Sequence, residues 1–93
     1  MFKTNEYFDG RVKSISYDTP EGPASIGVMA DGEYEFGTSS KEYMTIISGE
    51  MNVLLPGESD WKLFSETETF IIPAGAKFRV RVTRDTGYRC YYR

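Results

Sequence analysis

Turn-forming residues interrupt this chain at roughly ten-residue intervals, and that spacing decides what it can fold into. Asp18-Thr19-Pro20-Glu21-Gly22-Pro23, Asp31-Gly32, Gly49-Glu50, Pro56-Gly57-Glu58-Ser59-Asp60, Pro73-Ala74-Gly75 and Thr86-Gly87 are the breaks. No window of about eleven residues or more carries an apolar stripe at helical spacing without a Gly or Pro inside it. Between the breaks lie short runs rich in Val, Ile, Tyr, Phe and Thr, which suit a pleated, half-buried surface. The chain is therefore all-β.

The runs predict about nine short antiparallel strands: 11–17, 24–30, 33–38, 42–48, 51–55, 61–64, 69–72, 77–83 and 88–93. Asp31-Gly32 is a two-residue hairpin signal, so 33–38 is expected to pair back on 24–30. Gly49-Glu50 predicts a second hairpin, between 42–48 and 51–55. The 18–23 segment reads as a loop, because two prolines and a glycine interrupt a ladder. Along 77–83, Phe78, Val80 and Val82 alternate with Lys77, Arg79 and Arg81, so the first set faces inward. Tyr88, Cys90 and Tyr92 share one face of the last strand by the same parity. Nine strands in 93 residues mean one small sandwich or barrel, residues 1–93 forming a single domain.

Composition excludes several function classes. The chain holds no histidine and one cysteine, Cys90. Imidazole bases, imidazole metal ligands and sulfur/nitrogen zinc sites are thereby ruled out, and so is an internal disulfide, which fits a reducing, cytoplasmic setting. No apolar run nears the roughly 20 residues of a membrane helix, and residues 1–6 do not read as a signal peptide. Net charge is −3, but it is lopsided. Residues 1–76 carry five basic and thirteen acidic side chains, whereas 77–93 carry six basic and one acidic. Arginines in that last segment are expected to face acidic neighbours such as Glu33 and Glu35 across strands. An acidic chain without a lysine stripe does not suit nucleic acid.

Two phrases resemble the cupin motifs. Glu42-x-Met44-Thr45-Ile46-Ile47-Ser48-Gly49-Glu50 is similar to the end of the first motif, and Pro73-Ala74-Gly75-Ala76-Lys77-Phe78 to the second. The metal-binding histidines of those motifs are missing; Phe36, Gly37, Thr38 and Phe78 stand in those regions. A longer resemblance spans nearly the whole chain. Asn5-Glu6-Tyr7-Phe8, Val12-Lys13-Ser14-Ile15, Gly27-Val28-Met29, Gly32-Glu33-Tyr34-x-Phe36, Met44-Thr45-x-Ile47-Ser48-Gly49-x-x-Asn52-Val53-Leu54-Leu55-Pro56 and Tyr88-x-Cys90-x-Tyr92 resemble the small bacterial cupin-type pyrimidine/purine nucleoside phosphorylases. The resemblance implies a metal-free jelly-roll barrel, a homodimer, and broad-specificity phosphorolysis. In that reaction nucleoside and inorganic phosphate give free base and α-D-ribose 1-phosphate. Phosphate is a co-substrate and no cofactor is implied. A different class of function for the same barrel is a non-catalytic cupin that holds a nucleoside or sugar.

Phosphorolysis passes through an oxocarbenium-like sugar. Its site must bind phosphate, hold ribose hydroxyls, sandwich a base and stabilise that base as it leaves, largely by preorganised electrostatics. Without histidine, acid–base work falls to a carboxyl, a tyrosine or water. Glu42 is the catalytic candidate: it would bond ribose hydroxyls or, with a pKa raised by burial, protonate the base. Thr38 is a hydroxyl for phosphate or ribose. Tyr34, Phe36, Phe78, Tyr88 and Tyr92 are candidates for a base-stacking wall. Lys13 and the C-terminal arginines are the choices for phosphate. Parity turns Arg79 and Arg81 away from inward Phe78 and Val80. It does the same to Arg89 and Arg93 if Tyr88 and Tyr92 face inward. Cys90 has no base to activate it and reads as a small buried hydrophobe. The interior positions Met29, Met44, Ile46, Phe78 and Val80 offer no Asn, Gln or His cluster to read one base edge, so both base classes are expected as substrates.

Overall fold

Alternation along each strand builds two sheets with one apolar face apiece. The computed structural model describes residues 1–93. Ten strands run in order β1 (Lys3–Tyr7), β2 (Val12–Thr19), β3 (Gly22–Met29), β4 (Gly32–Gly37), β5 (Glu42–Ser48), β6 (Glu50–Leu54), β7 (Lys62–Ser65), β8 (Thr69–Ile72), β9 (Lys77–Val82) and β10 (Thr86–Tyr92). A six-stranded sheet has the order β1-β2-β3-β10-β5-β8, and a four-stranded sheet β4-β9-β6-β7. Every pairing is antiparallel. There is no helix, hence none long and apolar enough to cross a membrane.

The inner faces meet in a core of 14 buried residues, among them Met29, Met44 and Ile46 of the larger sheet and Val53, Phe78 and Val80 of the smaller. Burying each such side chain contributes about 1.5–3 kcal/mol. On β9, Phe78, Val80 and Val82 are buried and Lys77, Arg79 and Arg81 exposed, as parity predicts. Opposite them on β4, Glu35 pairs with Arg79 and Glu33 with Arg81. Arg81 Nε donates to Glu33 Oε1 at 2.7 Å, and that bond holds the Glu33 carboxyl below the usual range. The outer face of the smaller sheet is thus a solvated ion lattice. Trp61 covers part of it, with the Arg81 guanidinium 3.8 Å from its ring centre.

Three expectations about connections need correction. Asp31-Gly32 is not a hairpin: β4 pairs with β9, while β3 is flanked by β2 and β10. Both edges of β3 are taken, so the chain crosses to the other sheet. Gly49 is a second crossover, since β5 pairs with β10 and β8 while β6 pairs with β7 and β9. The 18–23 segment is no open loop. Strands β2 and β3 stay in register to Thr19↔Gly22 around Pro20-Glu21. Pro23 fits because its β2 partner is Asp18 and no β10 residue pairs with it on the other side. The tenth strand, β1, was not foreseen; it is a polar edge strand that buries no residue fully.

Candidate active site

One end of the space between the sheets stays open as a cavity of about 160 Å³. Strands β10 and β5 supply its floor: Tyr88 and Tyr92 from one, Glu42 and Met44 from the other. Met29, Ser14 and Tyr7 extend the floor across β3, β2 and β1, and Phe36, Gly37 and Phe78 of β4 and β9 form the roof. Phe36 and Phe78 lie 5.6 Å apart between ring centres, tilted by 31°. The result is an aromatic slot with a polar end. A larger hollow of about 510 Å³ lies outside, on β1–β3. Its charged pair, Lys13 and Glu6 at 3.1 Å, is solvent-exposed. The smaller cavity is the candidate site, because titratable groups converge there.

Glu42 opens β5 opposite Ile72 and Tyr92, with its side chain half-buried in the cavity wall. Burial pushes its carboxyl above the ordinary range, and a bond from Cys90 opposes the rise. The Cys90 Sγ–H donates to Glu42 Oε1 at 3.5 Å. Burial first, then the Glu42 charge, raises the thiol to about 12. Cys90 therefore stays protonated, a donor and not a nucleophile. Tyr92 shares a 2.8 Å bond with Ser25, and burial raises its phenol strongly. The Tyr88 phenol rises to about 12, again chiefly by burial. At neutral pH the site thus offers one carboxyl and several neutral hydroxyl donors.

Five of the residues singled out in the sequence meet here: Glu42, Phe36, Phe78, Tyr88 and Tyr92. Three lie elsewhere. Tyr34 is a buried core residue, its ring tilted by 46° against Phe8 at 4.9 Å and its hydroxyl donating to the Ala30 carbonyl at 2.6 Å. The Thr38 hydroxyl donates to the Pro73 carbonyl at 2.7 Å and accepts from the Ala76 N–H at 3.0 Å, pinning the 73–76 turn. Lys13 points to the outer face with Glu6. No lysine or arginine lines the cavity. Tyr7 and Ser14 are lining residues that sequence reasoning missed. Ser14 follows buried Val12 at the strand period, which is a usable signal; Tyr7 sits on the unforeseen β1.

The family model for pyrimidine/purine nucleoside phosphorylase matches residues 2–92. The chain belongs to that family. A curated member from Pseudomonas fluorescens (strain Pf0-1), named pyrimidine/purine nucleoside phosphorylase, is 58% identical over all of this chain and 99% of its own. A solved protein of unknown function from Vibrio parahaemolyticus is 39% identical, with a TM-score of 0.93 over 97% of this chain and 96% of that one. The Clostridium difficile EutQ protein, 19% identical with a TM-score of 0.70 over 87% of this chain and 67% of that one, shares the cupin-like fold. Family membership makes the chain an enzyme of the nucleoside phosphorylase class.

Proposed function

We propose that this enzyme cleaves both purine and pyrimidine ribonucleosides with inorganic phosphate, releasing free base and α-D-ribose 1-phosphate. The observation that carries the reading is Glu42, half-buried at the polar end of a slot roofed by Phe36 and Phe78. Aromatic faces hold any base by stacking. The Glu42 carboxylate accepts hydrogen bonds from ribose hydroxyls, and its charge faces the oxocarbenium-like sugar. Such stabilisation is strongest in a partly dry site. The mechanism asks for no metal or cofactor, only phosphate as second substrate.

The enzyme acts, in this reading, as a cytoplasmic homodimer. Free Cys90 suits a reducing compartment. The outer face of the six-stranded sheet suits a second copy: Ile15, Ile26, Val28, Ile47 and Ile71 are each about half exposed on it.

The test is base release from uridine and from adenosine, with and without phosphate, after exhaustive chelation. Both should be cleaved only with phosphate, with efficiencies within about 10²–10³ of each other, because shape and stacking alone discriminate weakly. Binding without turnover would favour the non-catalytic cupin. A preference above about 10⁴ would demand a polar clamp for one base edge. Loss of activity on chelation would end the metal-free mechanism.

A further inference from the structure

Tyr88 is set into this site with unusual constraint. It pairs with Gly27 across β10 and β3, and the hydroxyl end of its ring lies over that glycine. A Cβ at Gly27 would sit 2.5 Å from both Cζ and the hydroxyl of Tyr88, and 2.8 Å from the Lys13 carbonyl. Only a glycine lets the phenol reach across β3 toward Ser14 on β2. Ser14 is buried at 6% exposure and is the polar neighbour that offsets part of the burial of the Tyr88 phenol. Behind it, Asn5 Nδ2 donates to Ser14 Oγ at 3.2 Å and to Ser16 Oγ at 3.0 Å. Both amide protons are then used, and Ser14 Oγ is an acceptor toward Asn5. Tyr88 and Ser14 both line the cavity, and the Tyr88 hydroxyl is a donor available to it. The order β1, β2, β3, β10 thus sets Asn5, Ser14, Gly27 and Tyr88 side by side from the sheet edge to the slot.

We infer that Tyr88 is the catalytic donor to the departing base, and that Asn5, Ser14 and Gly27 are positioning residues that aim its hydroxyl into the slot. The inference rests on the nucleoside phosphorolysis proposed above and assigns the leaving-group role within it, leaving Glu42 to the sugar. As the bond from C1′ to the base nitrogen breaks, its electron pair moves onto the base. A phosphate oxygen forms the new bond to C1′. Tyr88 hydrogen-bonds the electron-rich base without ionising. The proton that hydrogen phosphate gives up on becoming the sugar ester ends on the base, so no oxidant, reductant or further reactant is needed.

The decisive experiment compares two leaving groups in the full-length enzyme: uridine, whose base needs a donor, and the riboside of 4-nitrophenol, whose leaving group does not. Tyr88→Phe should lower kcat for uridine by about 10²–10³, the usual effect of removing one preorganised donor. It should lower kcat for the nitrophenyl riboside by less than about tenfold. Ser14→Ala should show the same split at smaller size, and it carries the test if Tyr88→Phe does not fold. Equal losses on both substrates, or none on uridine, would overturn the assignment. Wild-type enzyme that cleaves neither uridine nor adenosine with phosphate would overturn the underlying reading first, and Tyr88's role with it.

Discussion

In the proposed role, Glu42 ties reactivity to stability at a single position. Its carboxyl titrates higher in the folded protein than in the unfolded chain, because burial disfavours its charge more than the Cys90 bond restores it. A raised carboxyl pKa means that folding stability is greatest below the unfolded value and declines as pH rises to the folded one. Glu42→Gln removes that penalty. The variant should melt above the wild type at pH 7, and the gap should close below about pH 4, where both side chains are neutral. Turnover should fall by about 10² or more, and wild-type turnover should itself weaken as pH drops through the raised pKa. A variant that melts lower at pH 7, or keeps full turnover, contradicts the role. Glu42 was legible because it opens a strand in a recognisable motif. Thr38 was legible as a residue near the motif but not as a turn clamp, because its partners Pro73 and Ala76 are 35 or more positions away.

At the scale of elements, strand positions and facing were readable and connections were not. Period-two alternation is local, so β9 and β10 show their buried faces directly in sequence. Whether a turn closes a hairpin or passes the chain between sheets depends on which edges are already occupied, and that is set by partners far away. Gly49 shows the difference. It has φ +84, and a Cβ there would lie 2.6 Å from Thr86 Oγ1 and 3.2 Å from the Asp85 carbonyl. Thr86 is fully buried and its hydroxyl bonds the Glu50 and Arg84 carbonyls, so the neighbour has no room to give. Gly57 has φ +74 with open space around it. Gly57→Ala should cost about 1–2 kcal/mol, the left-handed backbone alone. Gly49→Ala should cost clearly more in denaturant unfolding, because the crossover itself must shift. Equal costs would mean that the β5–β6 passage is not held by this contact.

For the whole molecule, the two outer faces make opposite statements about company. The smaller sheet turns Glu33, Glu35, Arg79 and Arg81 to solvent in paired charges. The larger sheet turns out Ile15 beside Ile26 on neighbouring strands, with Val28 two positions along. Single exposed aliphatics are ordinary, but a contiguous group on one sheet face is what the proposed dimer would cover. A two-fold interface sets a patch against itself, which an apolar sheet face tolerates and a lattice of fixed charges resists less well. Ile26 sits in the middle of this patch, between Ile15 on β2 and Arg89 on β10. At 47% exposure it contributes little to the core, so Ile26→Glu should leave the monomer folded. Placed at a two-fold interface, the same change brings like charges together in a desolvated patch, at a cost of several kcal/mol. Sedimentation at micromolar concentration should therefore show a dimer for the wild type and a folded monomer for Ile26→Glu. A wild-type monomer would remove the dimer from the proposal, and a dimeric variant would move the interface to another face.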